Sequence, residues 1–145
     1  MSVGRICSRV VATATGNETI RKAAQRMADH DVGTLVVVEA SHPQRPVGII
    51  TDRDFTVRCI AAGLNPDQTA ICTIMTTPVH SVNEQMPIED AVAIMGRSGT
   101  RRLVVVGEDT GLAGLLSIDD ILGVAVEEAG AIGQLLEQQK PRIPA

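Results

Sequence analysis

The chain of 145 residues contains no tryptophan, no tyrosine and a single phenylalanine, Phe55. Stacking of bases on aromatic platforms, the usual way of holding a single strand, is therefore nearly removed. A basic excess is also missing. The formal net charge is −4, whereas nucleic-acid binding asks for a positive face. Residues 1–75 hold eight basic and seven acidic side chains, and residues 76–145 hold five and ten, so the deficit lies in the second half. No apolar run approaches the ~20 residues of a membrane span. The opening "MSVGRICSRV" lacks the apolar stretch of ~7–15 residues that a secretory signal needs. A cytoplasmic location is expected, with neither nucleic acid nor membrane as a partner.

Cys7, Cys59 and Cys72 are odd in number and show no C-x-x-C spacing. They read as reduced, partly buried small hydrophobes. His30, His42 and His80 show no H-x-x-x-H spacing, so no metal site is expected. The stretch "GRSGT" is not G-x-S-x-G, and no G-x-x-x-x-G-K-[ST] phosphate loop occurs. No residue is assigned a catalytic role, and an enzyme is not expected.

What the chain does have is an internal repeat, whose detection precedes any assignment of elements. "ETIRKAAQRMADHDVGTLVVV" (18–38) lies over "MPIEDAVAIMGRSGTRRLVVV" (86–106) at an offset of 68. "GIITDRD" from Gly48 lies over "GLLSIDD" from Gly114, and upstream "ICSRVVAT" (6–13) lies over "IMTTPVHS" (74–81). Each copy starts with an extended stretch, Val10–Thr13 or Val79–Val82. A helix follows, with apolar positions 20, 23, 24, 27 or 88, 91, 92, 95 forming an i, i+3, i+4, i+7 stripe. Pro87 suits a first helical turn, and Gly33 and either Gly96 or Gly99 suit helix ends. "LVVV" then predicts a strand covered on both faces. A polar loop with Pro43 and Pro46, or with Gly107 and Gly111, leads to a second strand, Val47–Ile50 or Leu112–Leu116. A final helix starts near Asp52 or Ile118. Each copy is thus β-α-β-β-α, of about sixty residues, too small to be comfortable alone. The expected fold is α/β, with two tandem repeats packed sheet to sheet about a pseudo-two-fold axis. The expected divisions are 1–70, 71–127 and a helical tail 128–145, with "AAGLNPDQTA" (61–70) as connection.

The doubled Gly-h-h-Ser/Thr-x-x-Asp stretch admits two readings. Thr51 with Asp54, and Ser117 with Asp120, fit capping boxes at a strand-to-helix junction. The same geometry fits a ligand: helix N-terminal amides attract phosphate, the carboxylate suits a vicinal diol such as ribose, and the glycine lets another group approach the backbone. On the residues alone both readings stand.

The order helix, "LVVV", "GIITDRD", given twice with "IMTTP" opening the second copy, resembles a pair of cystathionine-β-synthase (CBS) domains, together called a Bateman module. The resemblance covers about residues 5–127 and points toward small bacterial proteins made of little else. It implies a non-enzymatic regulatory module that senses an adenosyl ligand in clefts between the repeats: AMP, ADP, ATP, S-adenosylmethionine or a dinucleotide of the NAD type. It implies no required cofactor. Asp54 and Asp120 would hold ribose hydroxyls, and Thr51 and Ser117 would reach ribose or phosphate. Thr13 and Ser81 would border the adenine, with His80 beside them a weaker candidate. Arg102 and Arg53 would meet phosphate, in whichever cleft. Thr34 stands opposite Arg102 and Asp119 opposite Arg53, so unequal phosphate affinity is expected. The resemblance also implies a disc-like homodimer, for which Ile121, Leu122, Ile132, Leu135 and Leu136 offer an apolar face, although Gly123, Gly130 and Gly133 weaken that helix. A partner protein of unknown identity is compatible with this reading. The alternative is a dimerisation or scaffold module whose Ser/Thr-x-x-Asp residues only cap helices.

Overall fold

The computed structural model of the chain describes residues 1–140. Two three-stranded sheets form, one per repeat, with strand orders β1-β2-β3 and β4-β5-β6. In the first repeat β1 is Thr13–Thr15, helix α2 Ile20–His30, β2 Thr34–Glu39 and β3 His42–Thr51. In the second, β4 is Ser81–Asn83, helix α5 Ile88–Ser98, β5 Arg102–Val106 and β6 Leu112–Ser117. The registers repeat as the sequence does: Thr13 pairs with Val36 and Ser81 with Val104 in parallel, and Val37 pairs with Gly48 and Val105 with Gly114 antiparallel. The α/β class and the tandem pairing of sheets match the expectation.

The "LVVV" runs are apolar throughout because each is buried on both faces. Leu35 and Val37 enter a core with Ile20, Ala23 and Met27 of α2. Leu103 and Val105 enter a second core with Ala91 and Met95 of α5. The alternate residues Val36, Val38 and Val104 turn the other way and form the seam between the sheets.

Several local expectations change. The ladders start later than Val10 and Val79, because Val11 and Val79 pack into the seam instead. Pro43 and Pro46 lie inside β3, not in a loop. β3 is an edge strand and Pro46 sits where the register shifts between Val37 and Val38, a place where a missing N–H costs nothing. Helix α2 ends on Asp31 in the left-handed conformation (φ 52°) rather than on Gly33, whereas α5 ends on Gly99 at φ 68°. Cys7 and Cys59 are buried but Cys72 is exposed. Burial pushes the Cys7 thiol above its ordinary value, which keeps it protonated.

The segments that lead into the repeats are exchanged. Short helix α1 (Val3–Ile6) packs in the second core, where Val3 N donates to Met86 O at 2.8 Å. Short helix α4 (Ile71–Ile74) packs in the first core, where Ile71 N donates to Glu18 O at 2.9 Å. A unit cut at 70/71 therefore describes the sequence repeat and not the packing, since each sheet is completed by the other copy's leader.

The repeats differ at their ends. The first closes with a short turn of helix α3 (Asp52–Asp54) that passes into a π-helix over Phe55–Ile60. The second closes with α6, Ile118–Gln138, which runs unbroken past residue 127 and through all three glycines. Residues 141–145 of the expected tail lie outside the described residues. Among the described residues no helix is long and apolar enough to cross a membrane.

Candidate functional site

Both capping boxes exist. Thr51 N donates to Asp54 Oδ2 at 2.8 Å and Asp54 N to Thr51 Oγ1 at 3.4 Å. In the second copy Ser117 N and Ser117 Oγ donate to Asp120 Oδ2 at 2.8 and 2.7 Å. Capping uses Oδ2 of each carboxylate. Asp54 Oδ1 faces Arg58 Nε at 3.6 Å.

The repeated glycine has a different cause from the one foreseen. A Cβ built on Gly48 would lie 2.6 Å from Met75 Sδ and 3.1 Å from Thr76 O. On Gly114 it would lie 2.7 Å from both Cys7 Sγ and Ser8 O. The group that approaches the backbone is the exchanged leader. Thr76 N donates to Ile49 O and Ile49 N to Thr76 O, at 2.9 and 3.1 Å, and Ser8 and Leu115 exchange the same two bonds at 2.9 Å each.

This placement builds a cleft. The leader of the second repeat runs along β3, so Thr76, Val79 and His80 face Ile49, Thr51 and Asp54 across a cavity of about 340 Å³. The turn after α5 closes the far side with Ser98, Gly99, Thr100, Arg101 and Arg102. Gly99 supplies the left-handed φ that redirects the chain there. Thr100 Oγ1 donates to Arg102 O at 2.9 Å, and Ile118 N donates to Arg101 O at 3.0 Å, so the turn is tied to the start of α6. Arg58 enters from the π-helix, its Nη1 donating to Ile74 O at 3.0 Å and to Thr76 Oγ1 at 3.4 Å.

Thr51, Asp54 and Arg102, expected from the sequence, thus share one cavity. Arg102 also borders a second, smaller hollow of about 190 Å³ with Ser117, Ile118 and Asp119. Thr13, Arg53, Ser81 and Asp120 border neither. Thr13 is in β1, where its carbonyl accepts from Arg26 at 2.9 Å, and Ser81 is exposed at the start of β4. The backbone N–H of exposed Arg53 donates to Asp52 Oδ1 at 2.9 Å. Asp120 stays within its capping box.

Sequence reasoning passed over Arg58 and Thr76. Arg58 stands four residues after Asp54, the spacing of neighbours on one helical face, and that was the available signal. Among the described residues no three of His, Cys, Asp and Glu gather as a metal site would need.

The CBS domain model matches residues 3–59 and again residues 71–127. The chain belongs to the CBS domain family. A relative in Methanopyrus kandleri, an uncharacterised protein, is 37% identical over 124 residues. The match takes in 86% of this chain and 62% of that one, so this chain spans less than two thirds of that relative's length. Among solved structures, the CBS domain protein PAE2072 from Pyrobaculum aerophilum, complexed with AMP, superposes with a TM-score of 0.76 at 30% identity, covering 83% of this chain and 89% of that one. The CBS domain pair of protein MJ0100, in complex with 5′-methylthioadenosine and S-adenosyl-L-methionine, gives 0.76 at 25% identity, covering 88% and 98%. In this CBS pair the cleft is therefore walled by both repeats, with one carboxylate on one side and paired arginines on the other.

Proposed function

We propose that this CBS pair is a regulatory module that binds an adenosyl ligand in the cleft of Thr51, Asp54 and Arg102, and that it catalyses no reaction. One observation carries the reading: the capping-box carboxylate of the first repeat opens into a cavity whose far wall is basic and belongs to the second. Asp54 Oδ1 would accept from ribose hydroxyls, and the arginines would meet phosphate. The AMP complex of PAE2072 and the S-adenosyl-L-methionine complex of MJ0100 support the ligand class. A ligand that touches both repeats shifts their equilibrium only as far as it prefers one arrangement over the other. The exposed leucines at 122, 135 and 136 on α6 support a homodimer.

The absence of Trp and Tyr makes the test direct, because adenine would dominate the protein's ultraviolet spectrum. The purified chain is scanned for an adenine band, and AMP, ATP and S-adenosylmethionine are titrated by calorimetry. A saturable heat that Asp54→Asn reduces on the order of tenfold, as loss of a charged hydrogen-bond acceptor implies, supports the reading. A clean spectrum and flat titrations with all three would turn the assignment to the scaffold alternative. Sustained nucleotide turnover would contradict both.

A further inference from the structure

Resting on that adenosyl reading, we infer that the cleft is selective for anionic nucleotides against sulfonium adenosyl compounds, that it takes one nucleotide per chain, and that its arginines, Arg58 among them, set this preference. Three guanidiniums, from Arg58, Arg101 and Arg102, border the cavity, and Asp54 is the one carboxylate that does so. Three minus one leaves an excess of two positive charges, with His80 counted neutral. Among the described residues neither Arg101 nor Arg102 has an acidic partner within 4.0 Å. Like charges around one cavity repel, and an incoming phosphate relieves that repulsion. An incoming sulfonium adds to it.

The pseudo-symmetric positions lack this device one by one. At the offsets of the internal repeat Arg58 corresponds to Val124, His80 to Ala12, Arg101 to Gly33 and Arg102 to Thr34. Gly99, on the wall of the first cleft, corresponds to Asp31, an acid. The matching positions keep the carboxylate, as Asp120, and replace each of these cations. The first repeat holds the ribose end and adds Arg58, while the second supplies Arg101 and Arg102.

The full-length chain is titrated with AMP, ADP, ATP and S-adenosylmethionine at low and high salt, as wild type and as Arg58→Met, Arg58→Lys and Arg101→Gln. Arg58→Met removes bonds to Ile74 and Thr76 and is checked by thermal melting. Arg101, exposed and without an acidic partner, gives an independent variant. The expected result is one nucleotide per chain, with the best nucleotide on the order of tenfold tighter than S-adenosylmethionine. High salt should narrow that preference by screening. Arg58→Met and Arg101→Gln should weaken the nucleotides roughly tenfold while changing S-adenosylmethionine less than about twofold, and Arg58→Lys should keep most of the affinity. Equal or tighter binding of S-adenosylmethionine, two nucleotides per chain, or equal losses for both ligand types in the variants overturns this inference and leaves the adenosyl cleft standing. No heat with any of the four ligands removes both.

Discussion

Substituting the two repeated glycines by alanine separates two kinds of close approach. At Gly114 the new methyl would meet the backbone oxygen of Ser8 at 2.7 Å, short by 0.7 Å of the 3.4 Å at which ordinary contact begins. That oxygen is held by Leu115 N and cannot turn away. At Gly48 the backbone oxygen of Thr76 is at 3.1 Å, a shortfall of 0.3 Å, and the tighter contact is with the thioether of Met75, which can change rotamer. Overpacking costs about 1–3 kcal/mol, and each weakened backbone hydrogen bond forfeits up to about 1 kcal/mol. Gly114→Ala should therefore destabilise the fold by about 3 kcal/mol, as overpacking with two strained hydrogen bonds implies, and Gly48→Ala by about 1 kcal/mol. Without Trp or Tyr, urea unfolding is followed by far-ultraviolet circular dichroism. Double-mutant cycles sharpen the test. In a Met75→Ala background the cost of Gly48→Ala should shrink toward zero. In a Cys7→Ala background Gly114→Ala should still cost about 2 kcal/mol, because the backbone obstacle remains. Equal costs at both glycines, or full rescue of Gly114→Ala by Cys7→Ala, would refute the assignment of these glycines to the exchanged leaders.

Two further outcomes follow from the same structure. The Arg26 guanidinium hydrogen-bonded to Glu18 holds its carboxyl at about 2, against an ordinary 4.5. A depressed carboxyl stabilises the fold above its unfolded value and loses that contribution as pH falls from about 4.5 toward 2. With the pair part-exposed, the contribution is about 1 kcal/mol after solvent screening. Glu18→Gln should lack this portion of the acid slope when urea midpoints are compared across that range. On α6, Leu135→Glu with Leu136→Glu should convert a dimer to monomer by light scattering, since each buried leucine contributes roughly 1.5–3 kcal/mol. An unchanged mass would exclude this face as the interface.

The internal repeat made most of the fold legible. A strand buried on both faces has no alternative to an apolar run, so "LVVV" declared itself twice, and the helical stripes with Met27 and Met95 did the same. Thr51, Asp54, Ser117 and Asp120 were equally legible as capping boxes, because capping is a contact between residues three apart. What the sequence left undecided was which surface each copy's leader covers. Pairing of Ser8 with Leu115 and of Thr76 with Ile49 spans long stretches of chain, and no local pattern encodes it. That exchange explains Gly48 and Gly114, and it carries Thr76 and His80 to the cleft. It also decides that Asp54 shares a cleft with Arg101 and Arg102, whereas Asp120 does not border that cleft. By itself the sequence determined two equal frames, because each frame is built from neighbours in the chain. Only the tertiary structure decided which residues share a cleft, because the cleft of Asp54 takes its two walls from different repeats.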